Sequence, residues 1–95
     1  MPAIDSLIHP PARLQLMTML TAVSQAEFVT LREALDVSDS VLSKHISALV
    51  DAGYVRSHKG LRDGRRTTWV ALTDAGRSAL RAHVAALREL IDVVD

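Results

Sequence analysis

Apolar residues recur along this chain with two different periods, and the switch between them separates helices from a hairpin. Leu14, Met17 and Leu20 repeat at helical spacing, and Leu16 and Met19 widen that face. The pair Pro10-Pro11 stops the preceding segment and sets proline at the first helical position, so a first helix is predicted over residues 11–23. Thr30-Leu31-Arg32-Glu33 matches a capping box, in which Thr30 accepts from the third amide and Glu33 reaches back. A short second helix is therefore expected from about residue 31 to near Asp36. Ser38 then caps a third helix, with Asp39 in its first turn complementing the helix dipole. In that helix Leu42, Ile46 and Leu49 lie at i, i+4 and i+7, and Gly53 supplies the left-handed position that ends it. Only Asp36-Val37-Ser38 separates the second helix from the third, which is helix-turn-helix spacing over about residues 31–52.

Beyond Gly53 the pattern changes. Residues 54–58 and 67–72 are rich in β-branched and aromatic side chains, so they are expected to pair as an antiparallel hairpin, with a loop over about residues 60–66. The hairpin and its basic tip form a wing over about residues 54–72. Thr73 caps a last helix over about residues 74–95, in which Gly76 permits close backbone packing. Leu80, Val84, Leu87, Ile91 and Val94 make one apolar stripe on it, and Ala79, His83, Ala86, Leu90 and Val93 make another. One stripe can pack on the domain. The second needs a partner, so Leu80, Val84, Leu87, Leu90, Ile91 and Val94 are expected at a homodimer interface, joined by Ile4, Leu7 and Ile8.

Composition then narrows the class. Ninety-five residues at 48% hydrophobic content allow one domain of class α+β. No cysteine is present, which excludes disulfides, thiolate metal sites and cysteine nucleophiles. Charge interrupts every apolar run and no secretory leader is recognisable, so a soluble cytoplasmic protein without membrane contact is expected. The net charge is zero, but its distribution is uneven. Residues 1–37 carry −2, residues 38–73 carry +3 and residues 74–95 carry −1. The cations gather around the hairpin, where Arg62, Asp63, Arg65 and Arg66 flank its tip, and phosphate affinity depends on that placement.

The third helix presents Ser38, Asp39, Ser40, Val41, Ser43, Lys44 and Ser47 opposite its core stripe. Short hydroxyl side chains with one cation allow close approach to base edges, where a solvated helix face more often carries long charged ones. His9, His45, His58 and His83 fall on different elements without the i, i+4 spacing of a helical metal site, and each reads as structural; His45, next to Lys44, could also donate to a phosphate. No nucleophile constellation, glycine-rich phosphate loop or carboxylate pair stands out, so neither catalysis nor a metal or other cofactor is expected.

At this point a resemblance to a known group can be stated. The segment Ser38-Asp39-Ser40-Val41-Leu42-Ser43-Lys44-His45-Ile46, closed by Ala52-Gly53-Tyr54-Val55, resembles the helix-turn-helix core of the arsenic-repressor and multiple-antibiotic-resistance (MarR) winged-helix regulators. Leu72-Thr73-Asp74-Ala75-Gly76-Arg77 is similar to the Leu-Thr-x-x-Gly segment that follows the wing in the MarR group. The resemblance implies a winged helix-turn-helix and a dimeric transcription factor on double-stranded DNA, reading a pseudo-palindromic operator. It also implies an arginine of the wing in the minor groove and Asp63 shaping the wing. The cysteines of the arsenic-repressor metal site are lacking here, and larger MarR proteins enclose an effector pocket with additional N- and C-terminal helices, so an effector is left unassigned. The alternative is a winged-helix module that binds another protein, which would not need cations at the wing. RNA binding would call for more stacking aromatics than Phe28, Tyr54 and Trp69.

Overall fold

The structure, a computed structural model, describes residues 4–94, so the last residue of the predicted C-terminal helix lies outside the described residues. Its elements run α1 (Pro11–Thr21), β1 (Ala26–Glu27), α2 (Phe28–Leu35), α3 (Asp39–Asp51), β2 (Val55–Arg62), β3 (Arg65–Leu72) and α4 (Asp74–Val94). The strands form one antiparallel sheet in the order β1-β3-β2.

Helix α1 buries Leu16, Met17 and Leu20, the face its spacing predicts, but ends at Thr21 where 23 was expected. Val23 is exposed and has no core to reach, and the chain must turn early to bring Ala26 and Glu27 beside Val70 and Trp69 of β3. That pairing also overrides the predicted capping box. Extended backbone ends at Glu27, which is the N-cap of α2 without a side-chain cap bond, so Thr30 lies inside the helix. The helix-turn-helix therefore begins at Phe28 and not near residue 31. Helix α2 ends on Asp36 in left-handed conformation (φ 54), which a short polar side chain tolerates.

Helix α3 follows its predicted chemistry. Ser38 Oγ accepts from Val41 N at 3.2 Å, and Leu42, Ile46 and Leu49 are buried. At the other end Gly53 (φ 80) donates to Val50 O at 2.9 Å, and Tyr54 N donates to Leu49 O at 2.9 Å, the paired bonds of a Schellman ending. The chain passes directly from that ending into β2.

The hairpin differs most from its prediction. The ladder extends from Val55↔Leu72 to Arg62↔Arg65, so the expected loop over residues 60–66 is strand except for Asp63 and Gly64. These have φ 50 and 80, the two left-handed positions of a type I′ turn, whose twist matches that of the strands it joins.

The start of α4 is locked onto the base of this hairpin. Thr73 Oγ1 donates to Gly53 O at 2.6 Å and accepts from Gly76 N at 3.0 Å. A Cβ on Gly76 would lie 2.0 Å from Tyr54 O, so only glycine permits this approach. Helix α4 buries Gly76, Leu80, His83 and Ala86 against the domain, a stripe that crosses both stripes read from the sequence. Ile8 is also fully buried, contributing about 1.5–3 kcal/mol to the domain, and Leu7 packs beside it. These two belong to the chain's own core, a correction to their expected role between subunits.

A polar network holds this N-terminal segment in place. Asp5 Oδ1 accepts from Leu7 N at 2.9 Å, and Asp5 Oδ2 accepts from the Tyr54 hydroxyl at 2.8 Å. Asp5 N donates to Nδ1 of buried His83 at 3.1 Å. The segment thereby joins α4 to Tyr54, the residue that follows the Gly53 ending of α3.

Candidate nucleic-acid interface

Two elements diverge from the Schellman junction and form the sides of one groove. On α3, Ser40, Val41, Ser43, Lys44 and Ser47 are all exposed, with Val41 at 42%. Ser38 is exposed at the helix start, its hydroxyl divided between the capping bond and a contact with Ser40 Oγ at 3.2 Å. Asp39, expected on the same face, pairs with Arg32 of α2 at 2.9 Å. Phe28, Asp39, Ser43, Ile46 and Ser47 line one wall and floor of the groove, and Ser57 and Thr68 of the wing line the other.

Register assigns each wing side chain to a face, because neighbours along a strand alternate and directly paired residues share a side. Ser57, Lys59, Leu61, Arg66 and Thr68 share the face of buried Val55 and Val70, which is the groove side. Arg62, Arg65, Thr67 and Trp69 lie on the back. The neighbouring arginines Arg65 and Arg66 thus point to opposite sides of the ribbon. Among the described residues, Lys44, Lys59, Arg65 and Arg66 enter no ion pair and are exposed. Lys59, Ser57 and Thr68 were not singled out from the sequence. Ending the first strand at residue 58 left Lys59 without a face, and only the ladder supplies one.

Arg62 is placed differently from the other cations. Its Nη1 donates to Glu27 Oε1, and the Thr67 hydroxyl donates to Glu27 Oε2 at 2.7 Å. Glu27 is buried at 8% exposure. The Thr67 hydrogen bond, with the hydrogen bond and charge of Arg62, outweighs burial and lowers its pKa. Asp63, expected from the resemblance to shape the wing, makes no side-chain hydrogen bond or ion pair among the described residues, and contributes its left-handed backbone to the turn. The carboxylate that grips the wing is Glu27.

His45 is held against α1 through one ring nitrogen. Its Nδ1 accepts from Arg13 Nε at 3.0 Å, while Arg13 Nη1 donates to Leu7 O at 3.3 Å. Burial first, then the charges of Arg13 and Lys44, depress its pKa. The ring braces α3 against α1. The described residues contain no group of three His, Asp or Glu side chains able to hold a metal ion, and no helix long and apolar enough to cross a membrane.

The residues expected at a dimer interface separate along α4. Leu80 is core at 6% exposure, and Val84 packs partly against that core. Leu87 is half-buried in a cleft with Ser6, His9, Pro10, Pro11 and Leu14. Leu90 at 39%, Ile91 at 60% and Val94 at 85% are exposed, as is Val93 at 83%.

Comparison with known proteins places this geometry in context. The sequence pattern described as winged helix DNA-binding domain matches residues 12–91. An uncharacterized protein of Methanocaldococcus jannaschii is 28% identical over 84 residues, which is 88% of this chain and 91% of that protein. A transcriptional regulator homologue of Pyrococcus horikoshii superposes with a TM-score of 0.89 at 30% identity, over 96% of this chain and 90% of that one. The YusO protein of Bacillus subtilis shares the fold with a TM-score of 0.79 at 18% identity, over 88% of this chain but only 59% of its own.

Proposed function

Because the chain belongs to the winged helix DNA-binding domain family, we propose that it is a homodimeric transcriptional regulator whose α3 enters the major groove of an operator while the wing reaches the adjacent minor groove. The observation that carries this reading is the shared groove. Short exposed side chains of α3 form one side, and the groove face of the wing, with Lys59 and Arg66, forms the other. Ser40, Val41, Ser43, Lys44 and Ser47 approach base edges or nearby phosphates, and Ser38, with Asp39 neutralised by Arg32, marks the helix end nearest the DNA. Arg65 and Arg66 straddle the wing tip, so one of them can follow each wall of the minor groove. The exposed apolar end of α4 supplies the dimer contact through Leu87, Leu90, Ile91 and Val94. A two-fold dimer reads a pseudo-palindrome whose half-sites lie about 10 base pairs apart.

The test is titration of duplex, selected from a random library, across a range of salt. Lys44→Ala is expected to change base preference or remove one phosphate contact, and Arg65→Ala to weaken binding to all sequences and lower the salt slope by about 1. A well-formed contact is worth roughly 1–3 kcal/mol in either case. Unchanged affinity in both variants, with folding intact, rejects this DNA face. Binding that is indifferent to salt points to a protein partner, since apolar interfaces are little screened.

A further inference from the structure

Past the base of the hairpin the wing has no core to hold it. From Lys59 to Arg66 every residue is exposed or half-buried, and a two-stranded ribbon is marginally stable alone. Yet a winged helix reads two grooves at once only if the tip stands at a set angle to α3. Glu27 is well placed to set that angle. It is the last residue of β1 and the N-cap of α2, so its backbone belongs to the helix-turn-helix. Its side chain reaches both strands of the wing, through Arg62 on β2 and Thr67 on β3. Register sets it beside Trp69, whose indole occupies the space a Cβ on Gly60 would need, 3.0 Å from Cδ1. Both carboxylate oxygens are engaged and Glu27 itself is buried, and hydrogen bonds to a charged acceptor are the strong ones.

We propose that Glu27 is a positioning residue for DNA binding: by gripping Arg62 and Thr67 it holds the wing at a fixed angle to the recognition helix. This rests on the DNA-binding reading above. Arg62 then acts as a brace, its charge offset by Glu27, and the wing's phosphate contacts fall to Lys59, Arg65 and Arg66. The proposal has a sign opposite to simple electrostatics. Removing a carboxylate beside a polyanion ordinarily tightens binding, whereas removing this one is expected to weaken it.

The experiment compares Glu27→Ala, Arg62→Ala, Thr67→Val and the Glu27→Ala/Arg62→Ala double variant with wild type. Affinity is read from duplex titrations across salt, and backbone amide order parameters are read from the free protein by NMR. Each single variant is expected to bind roughly tenfold more weakly, the size of one lost charge-assisted hydrogen bond. The double variant is expected to bind no worse than either single one, because one clamp is broken only once. Thr67→Val changes no charge, so its weaker binding should come with an unaltered salt slope. Order parameters over residues 60–67 are expected to fall in Glu27→Ala while those of α3 stay as in wild type. If Glu27→Ala binds as tightly as wild type or more tightly, or if the wing amides stay rigid, the clamp is overturned. Additive losses with a lower salt slope in Arg62→Ala would make Arg62 a phosphate contact and overturn it equally. If wild type shows no salt-dependent duplex binding, the DNA-binding reading has failed and the proposal falls with it.

Discussion

At Gly76, the absence of one methyl group sets how closely α4 meets the wing. The added Cβ would meet Tyr54 O at 2.0 Å and Leu72 Cδ1 at 2.9 Å, and Tyr54 O is already held by Thr73 N at 3.0 Å. Gly76→Ala is therefore expected to destabilise the domain by about 1–3 kcal/mol, read from its urea midpoint. A midpoint equal to that of wild type would mean that α4 can slide aside freely. His45 makes the second prediction at this scale. Its ring accepts from Arg13 through Nδ1, so protonation there breaks the brace, and burial already lowers its pKa from the ordinary 6.5. A depressed folded-state pKa places its stabilising contribution above the unfolded value, and that contribution is lost as pH falls through the folded one. Between about pH 7 and about pH 5 wild type is expected to lose more stability than His45→Gln. Parallel pH curves for the two proteins would rule this out. Neither Gly76's neighbour nor His45's partner can be read from a linear sequence, since each lies 22 or more positions away.

Among the elements, the hairpin tests how far local chemistry can be trusted. Asp63-Gly64 is the strongest short signal for a two-residue turn, and the structure uses it as one. The arginines around it, with Gly60 before it, read instead as a loop from 60 to 66. Gly60 packs under the Trp69 indole, where a Cβ would lie 3.0 Å from Cδ1, a tertiary contact that looks like turn chemistry in sequence. Gly64→Ala forces a side chain into left-handed backbone, costing about 1–2 kcal/mol at the tip. DNA affinity is expected to fall while the thermal midpoint moves little, because the outer wing shares no core with the helices. Equal losses in both measurements would show that the wing folds as one unit with the domain. The missed strand β1 has a simpler origin. Two residues are too few to show alternation, and Ala26 and Glu27 become a strand only because β3 lies beside them. That same pairing displaced the predicted start of α2.

For the whole molecule the question is what covers the end of α4. The chain extends 51 Å along its longest axis against 25 and 22 Å across, and Leu90, Ile91, Val93 and Val94 are exposed at the end of α4. This run of exposed apolar side chains is the surface that the proposed dimer would cover. Ile91→Glu is the cleaner test of the proposed dimer, because Ile91 is 60% exposed and Leu87 is partly committed to the cleft beside Pro10 and Pro11. Ile91→Glu is expected to keep the wild-type thermal midpoint at low protein concentration, sediment as a monomer, and bind operator DNA about 100-fold more weakly through loss of effective concentration. A variant that stays dimeric, or a wild type that is monomeric at micromolar concentration, rejects the assignment.

Local chemistry was sufficient at the ends of α3 and the start of α4, though not at the Thr30–Glu33 capping box, which the pairing of β1 overrode. Ser38 caps α3 by accepting from the amide three residues ahead, Gly53 ends that helix, Thr73 caps the next, and Leu42, Ile46 and Leu49 face inward because helical geometry leaves them no other common side. Those features, with the cations near the hairpin, suffice for the winged-helix class and for most of the candidate DNA face. The tertiary structure alone decided which stripe of α4 is core, that Ile8 belongs to the domain, that Lys59 shares a face with Arg66, and that Glu27 captures Arg62. Each of these depends on contact between residues far apart in the chain. Hydrophobic burial and ion pairing act through space, so a sequence pattern shows that a side chain needs a partner without showing which partner it has.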